Sequence, residues 1–174
     1  MSQLITAVSE KDHYLGAWPP VLTLVEYGDY QCPVCGRFAP LVKQLHQHLR
    51  GKLTFVFRHF PLQKAHPFAL QMACVAEAAD FFQRFWQMHE MLFRNASLYS
   101  SEKISQYASL LGLEGEDILK IAEARDTKLR VEEQFKDGVA SGVNGIPCFF
   151  VQGHRYEGDI SFEHILRALM QCHL

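Results

Sequence analysis

VLTLVEYGDYQCPVCGRF, the stretch from Val21 to Phe38, joins an apolar run to two closely spaced cysteines. The apolar run predicts a central strand covered on both faces, and the strand breaks at Gly28. Cys32 and Cys35 follow, and a helical pattern then continues from Phe38 to Leu49. This order predicts that Cys32 lies at a helix N-terminus. Unpaired backbone N–H groups and the helix dipole stabilise a thiolate there, which is the reactive form of cysteine.

Two prolines bear on the same helix. Pro33 is placed at the first helical position, where its missing N–H costs nothing. Cys35 then lies one turn further in, less exposed than Cys32 and close enough to form a disulfide with it. Pro40 falls inside the predicted helix, and we expect a kink there because an interior proline removes one hydrogen bond.

The spacing of Cys32 and Cys35 also suits half of a zinc site. That interpretation needs a second pair of ligands, and the sequence offers none at a suitable spacing. The remaining cysteines stand alone, and two nearby histidines, two residues apart on a helix, point in different directions (His46 and His48). We therefore predict no metal. Cys74 and Cys148 are expected to be small core residues, and Cys172 to be exposed and able to form adventitious dimers.

The 174 residues are enough for one domain with its own core. Apolar residues make up 48% and charged residues 21% of the chain, as in soluble globular proteins. The formal charge of −2 shows no basic excess, so neither nucleic acid nor an anionic membrane is an expected partner. We expect no membrane insertion, because no apolar stretch is long enough to span a bilayer, and no signal peptide, because the N-terminal residues lack a basic n-region and a continuous apolar h-region. The odd count of five cysteines favours a reducing compartment, so we predict a cytoplasmic protein.

The rest of the pattern gives an α/β order of elements. Residues up to Pro20 form a lead-in with weak patterning. Strands are predicted from Val21 to the break at Gly28, and at Leu53–Phe60, Cys148–Val151 and Arg155–Glu157. A block from roughly Gln63 to Gly142 is helical throughout, and a last helix starts near Ser161. The order is therefore β-α-β, a helical block, and β-β-α.

This order resembles the thioredoxin fold with an inserted helical subdomain, as in the DsbA-like thiol–disulfide oxidoreductases. The phrases VEYGDYQCPVC, FVFRHFPL and FWQMHEMLF are similar to those of the cytoplasmic, Na⁺/H⁺-antiporter-associated branch of that family. The resemblance covers essentially the whole chain. It implies a single domain over residues 1–174, with a thioredoxin core of about 18–62 and 143–174 and a helical insertion of about 63–142.

The resemblance also implies roles for individual residues. Cys32 would be the nucleophile and Cys35 the resolving cysteine, with Pro33 and Val34 in contact with substrate. The family's buried acid, six residues before the first cysteine, matches Glu26. A carboxyl group in a buried strand should have a raised pKa and could accept the proton of Cys35. The alternative is a carboxylate at the strand end that reaches solvent or pairs with a lysine or arginine.

The stretch GVNGIP, residues 142–147, matches the proline loop that faces the CxxC pair in this family. The resemblance implies a cis bond before Pro147 and pairing of the Ile146 backbone with substrate as an added strand. Sequence alone would favour an ordinary trans proline. Ile146 stands where DsbA has valine, and the dipeptide between the cysteines is Pro-Val instead of Pro-His. These differences and the cytoplasmic setting favour a reductase or isomerase over a strong oxidant.

The expected function is enzymatic: thiol–disulfide exchange with protein or small-molecule substrates, with a recycling reductase or oxidant as partner and no cofactor. One alternative is a glutathione-dependent transferase or isomerase on the same fold, although members of that branch typically carry serine at the nucleophile position. The other is a non-catalytic CxxC module that binds metal or acts as a scaffold. Glutathione binding and metal content would separate these alternatives from the first hypothesis.

Overall fold

A computed structural model describes residues 2–97 and 99–171. Its strands are β1 His13–Leu15, β2 Leu22–Gly28, β3 Leu53–His59, β4 Cys148–Val151 and β5 His154–Arg155. After a 3₁₀ helix at Cys35–Phe38, the α-helices are α1 Ala39–Leu49, α2 Ala69–Asp80, α3 Phe85–Arg94, α4 Ser101–Leu110, α5 Gly115–Glu123, α6 Arg125–Ala140 and α7 Phe162–Gln171. Across the described residues, none of these helices combines the length and apolar character that a membrane span requires.

β2 is the central strand of a five-stranded sheet with the order β1-β3-β2-β4-β5. Every residue of β2 except Thr23 is buried, and because side chains alternate along a strand, both faces are covered as predicted. β4 runs antiparallel to β2, with Phe149 opposite Glu26. The strand ends at Gly28, where a Cβ atom would lie 2.7 Å from the ring of Phe57, so a larger residue would have to displace a buried side chain.

The N-terminal lead-in contains a strand that the sequence pattern did not predict. β1 pairs antiparallel with β3, placing His13 opposite Phe57 and Leu15 opposite Phe55. Three residues are too few to show an alternating pattern, so only the pairing with β3 identifies the strand.

The last hairpin also differs slightly from the prediction. Its returning strand is His154–Arg155, where we expected Arg155–Glu157. Gln152 and Gly153 have φ angles of 49° and 79°. Two consecutive residues with positive φ make a two-residue hairpin turn, so the chain reverses early and the returning strand begins at His154.

The helix after the cysteines starts later than predicted. The chain passes through a turn at Pro33 and Val34 and then the 3₁₀ helix, and α1 begins only at Ala39. Pro33 is therefore a turn residue, and Pro40 lies in the first turn of α1 and not in a helix interior. The N–H groups in the first turn of an α-helix have no acceptor within the helix, so a proline there removes no hydrogen bond. The kink that we expected at Pro40 therefore has no cause.

The chain divides into two compact units. The first comprises Met1–Gly28, Arg37–Arg58 and Lys136–Leu174, and its described part holds α1, α7 and almost the whole sheet. The second comprises Asp29–Gly36 and His59–Phe135, and it holds both cysteines of the CPVC segment together with α2 to α5. The division into a thioredoxin core and an insertion at about 63–142 remains a prediction about domain organisation.

Ser100 caps α4 in the second unit. Its backbone is extended, and its hydroxyl accepts a hydrogen bond from the N–H of Lys103 at 3.2 Å. Because an N-cap side chain satisfies a helix N–H that has no partner within the helix, we expect Ser100→Ala to lower the free energy of unfolding by about 1 kcal/mol. Urea unfolding measures this loss. The neighbouring exposed Ser101 serves as control, and an equal loss in Ser101→Ala would show that the cap contributes nothing.

Candidate functional site

The two cysteines of the CPVC segment lie in a tight turn and are both buried. The exposed fraction is 6% for Cys32 and 2% for Cys35, so Cys32 is the more accessible of the two. The backbone N–H of Cys35 donates a hydrogen bond to Sγ of Cys32, with an N···S distance of 3.4 Å. A donor directed at sulfur stabilises negative charge on it, which is the state required for nucleophilic attack.

The predicted position of Cys32 at the N-terminus of an α-helix is wrong. The 3₁₀ helix begins at Cys35, and α1 begins four residues after that, at Ala39. Because the helix dipole acts mainly within the first turn, α1 is too far along the chain to supply it. The N–H of Cys35 instead donates a hydrogen bond to Sγ of Cys32 across the turn at Pro33 and Val34. One local donor thus replaces the expected helix N-terminus.

Pro33 and Val34, the residues between the cysteines, are exposed. Val34 has an exposed fraction of 43%, although its side chain is apolar. Both residues between the cysteines are thus accessible, whereas the cysteines themselves are buried.

Glu26 is a buried carboxyl group in the middle of the sheet. Its exposed fraction is 4%, and among the described residues its Oε1 has no hydrogen-bond partner. Burial raises the pKa of Glu26 well above its ordinary value, because the charged form loses its hydration. The structure therefore gives no support to the alternative in which Glu26 reaches solvent or pairs with a cation.

The Ile146–Pro147 peptide bond is cis, and both residues are half-buried. Pro147 immediately precedes β4, whose first residue, Cys148, lies opposite Tyr27 in β2. The proline loop is thus placed beside the end of the central strand. Glu26, Ile146 and Pro147 all belong to the first unit, whereas both cysteines belong to the second unit.

Cys74 and Cys148 are buried, with exposed fractions of 1% and 5%. Burial raises the pKa of Cys74 to about 11, and it also raises the pKa of Cys148. A thiol that resists ionisation is a poor nucleophile, so both cysteines fit the predicted packing role. Cys172 lies outside the described residues.

The sequence analysis did not single out two residues that precede Cys32. Asp29 and Gln31 both make side-chain hydrogen bonds to the segment 62–68. The available signal was the aspartate at the strand end, because an aspartate in such a position commonly hydrogen-bonds backbone N–H groups of the following turn. The partners in segment 62–68 are more than 30 residues away, and no local pattern predicts them.

A central strand that leads into a CxxC turn, with a cis-proline loop beside the strand end, defines a protein of the thioredoxin-fold class. A family model described as Thioredoxin matches residues 8–171. The chain therefore belongs to the thioredoxin family.

Solved structures agree with this fold. The chain is similar to a thioredoxin-like oxidoreductase from Silicibacter pomeroyi DSS-3, with a TM-score of 0.80, 21% identity, and coverage of 95% of this chain and 94% of that chain. It is also similar to the thiol-disulfide exchange protein alpha-DsbA2 from Wolbachia pipientis, with a TM-score of 0.80, 19% identity, and coverage of 94% and 88%. The predicted α/β thioredoxin fold is thus confirmed.

The chain is also similar to part of a much longer protein, a Na(+)/H(+) antiporter. The Na(+)/H(+) antiporter NhaA 1 of Mycolicibacterium gilvum (strain PYR-GCK) is 35% identical over 162 residues, which is 92% of this chain and 26% of the antiporter. The chain spans about a quarter of the length of the curated relatives that it matches.

Proposed function

We propose that this protein is a thiol–disulfide oxidoreductase in which Cys32 is the nucleophile and Cys35 the resolving cysteine. The observation that carries the proposal is the hydrogen bond from the Cys35 N–H to Sγ of Cys32. The Cys32 thiolate attacks one sulfur of a substrate disulfide, forms a mixed disulfide and expels the other sulfur as a thiolate. The Cys35 thiolate then attacks Sγ of Cys32, leaving a Cys32–Cys35 disulfide and a fully reduced substrate. The reverse sequence oxidises a dithiol.

Resolution requires that the thiol of Cys35 lose a proton, and we propose that the Glu26 carboxylate accepts it. A carboxyl group with a raised pKa holds and releases protons closer to neutral pH than an exposed glutamate does. Its position on the strand that leads directly to the CPVC turn supports this role.

The burial of Glu26 should also make stability depend on pH. Because its pKa is higher in the folded than in the unfolded protein, the folded state binds more protons in the interval between the two values. The free energy of unfolding therefore falls as pH rises through that interval. Above the folded-state pKa of Glu26, the full cost of burying its charged carboxylate is present. We expect Glu26→Leu to gain more stability over the wild type at about pH 8 than at about pH 5, as measured by urea unfolding.

The exposed Glu90 provides the control for this measurement. Glu90→Leu should differ from the wild type by nearly the same amount at both pH values, because an exposed carboxylate is hydrated in both states. A gain for Glu26→Leu that does not change with pH would contradict a buried, hard-to-ionise carboxyl group.

We assign substrate contact to Pro33, Val34, Ile146 and Pro147. The exposure of Pro33 and Val34 supports contact beside the nucleophile. The loop backbone at Ile146 would pair with an extended substrate segment as an added strand, a mode in which main-chain bonds give affinity with little sequence preference. That mode suits protein disulfides of varied sequence.

We further propose that the protein works in the cytoplasm as a reductase or isomerase and is recycled by a redox partner. The 35% sequence identity to part of the antiporter NhaA 1 supports placing this chain in the antiporter-associated branch of the DsbA-like proteins. The direction of exchange depends on the reduction potential of the dithiol relative to that of its compartment.

The reduction potential of the Cys32–Cys35 pair tests the proposal. The protein is equilibrated in glutathione buffers of graded poise, thiols are trapped, and the pair is quantified by mass spectrometry. A reduction potential of about −270 mV supports a reductase, whereas one of about −120 mV would identify an oxidant and contradict the cytoplasmic role. If no disulfide forms between these two cysteines at any poise, the redox function is wrong, and metal content then tests the remaining scaffold alternative.

A further inference from the structure

The Asp29 side chain is buried directly before the CPVC turn, and both its carboxylate and its backbone carbonyl accept hydrogen bonds. Its Oδ1 accepts the N–H of Gln31 at 2.8 Å, and its Oδ2 accepts the N–H of Leu62 at 3.0 Å and lies 2.8 Å from Nδ1 of His66. Its own backbone carbonyl accepts the N–H of Cys32 at 3.1 Å. One residue thus joins the nucleophile to a segment more than 30 positions away.

Gln31 makes a second attachment of the same kind. Its Oε1 accepts the N–H of Phe68 at 2.6 Å. The two side chains therefore fasten residues 29–32 to both ends of the segment 62–68. We call these two side chains, with their partners Leu62, His66 and Phe68, the active-site clamp.

We propose that the active-site clamp positions Cys32 so that the Cys35 N–H points at its sulfur. This inference rests on the proposed dithiol function and deepens it. A hydrogen bond of 3.4 Å to sulfur depends on the backbone path from Cys32 to Cys35, and the clamp fixes the start of that path. Asp29 and Gln31 touch neither sulfur, so they are positioning residues.

The negative charge of Asp29 provides a competing effect that has the opposite sign. Asp29 precedes Cys32 by three residues, and a negative charge so near in the chain would disfavour a thiolate, so removal of the charge alone should increase the thiolate signal. Loss of the clamp would decrease it, because the donor to Sγ would no longer be aligned. Asp29→Asn and Asp29→Glu separate the two effects. Asparagine removes the charge and turns an NH₂ group towards one of the backbone N–H donors, whereas glutamate keeps the charge but displaces the carboxylate.

The experiment measures the Cys32 thiolate by its ultraviolet absorbance at about pH 7. All proteins carry Cys35→Ser, which keeps the backbone N–H and prevents disulfide formation, and the signal of the Cys32→Ser, Cys35→Ser protein is subtracted. If the clamp positions Cys32, both Asp29→Asn and Asp29→Glu should lower the thiolate signal by about threefold or more. A rise in Asp29→Asn with no change in Asp29→Glu would show a charge effect and overturn the proposal. Unchanged signals in both would also overturn it.

Two further variants distinguish an effect of the clamp from a general loss of folding. Gln31→Met removes the acceptor for Phe68 at a half-buried position without changing any charge, and it should lower the signal by a smaller factor. If it leaves the signal unchanged when the Asp29 variants do not fold, the clamp is refuted. Ser100→Ala weakens the same compact unit without touching the turn and should leave the thiolate signal unchanged.

The proposed function is tested separately by disulfide formation in the wild-type protein. If the Cys32–Cys35 disulfide forms but the clamp variants keep the wild-type thiolate signal, only the clamp is wrong. If the disulfide never forms, the redox function itself is wrong.

Discussion

Replacing Cys32 with serine is expected to abolish thiol–disulfide exchange completely, whereas replacing Cys35 should stop the reaction halfway. A serine hydroxyl does not attack a disulfide, so Cys32→Ser removes the first step. Cys35→Ser keeps the nucleophile and the backbone N–H that contacts it, but it removes the group that releases the substrate. We expect a stable mixed disulfide between Cys32 and a model disulfide peptide, seen by mass spectrometry under non-reducing conditions.

Cys74→Ala is the matched control for these variants. Cys74 is also buried, but its raised pKa leaves little thiolate at neutral pH. Its replacement should leave the rate of exchange unchanged. If Cys32→Ser kept activity while Cys74→Ala lost it, the nucleophile would have been assigned to the wrong cysteine. If Cys35→Ser turned over substrate like the wild type, Cys35 would not be the resolving cysteine.

The central strand and the cysteine pair could be predicted from sequence because both are local signals. An almost uninterrupted apolar run at 21–25 is typical of a strand covered on both faces, and β2 is such a strand. The spacing of Cys32 and Cys35 also lies within one short stretch. The helix that follows was also predicted from a local pattern, the leucines at fourfold spacing, of which Leu45 and Leu49 are buried and Leu41 is half-buried.

Features that depend on distant partners were not predictable. β1 is three residues long and becomes a strand only through its pairing with β3. The start of α1 was placed too early because the pattern does not distinguish a 3₁₀ turn from an α-helix. Asp29 was not singled out, since its bonds to Leu62 and His66 require the tertiary fold. The sequence thus indicated where the chemistry lies, and the structure was needed to show what aligns it.

Arg58→Leu is expected to lower the free energy of unfolding by about 3–5 kcal/mol. The Arg58 side chain is 4% exposed. Its guanidinium donates to both carboxylate oxygens of Asp12 at 2.8 and 3.1 Å, to Asp137 at 2.9 Å, and to the carbonyl of Thr6 at 3.0 Å. Burial alone would lower the pKa of Arg58, but Asp12 and Tyr27 together raise it. Leucine would leave two largely buried carboxylates without their cation, which is the source of the expected cost.

Arg58→Lys tests whether geometry or charge carries the stability. A lysine ammonium keeps the charge but cannot reproduce the planar fork that engages Asp12 through two nitrogens while also reaching Asp137. We therefore expect Arg58→Lys to lose a substantial part of the stability lost in Arg58→Leu, again by urea unfolding. If Arg58→Lys were as stable as the wild type, charge alone would suffice.

Arg94 provides the matched control on the surface. It lies 3.2 Å from Glu90 within α3, and the exposed fractions of the two side chains are 76% and 63%. Exposed pairs contribute little because water and salt screen them, so Arg94→Leu should change the free energy of unfolding by less than about 1 kcal/mol. Equal losses in Arg58→Leu and Arg94→Leu would show that burial adds nothing to the Arg58 network. A large difference would show that an arginine in β3 secures the N-terminal segment beside the sheet by desolvated hydrogen bonds, in a region where the local sequence pattern is weakest.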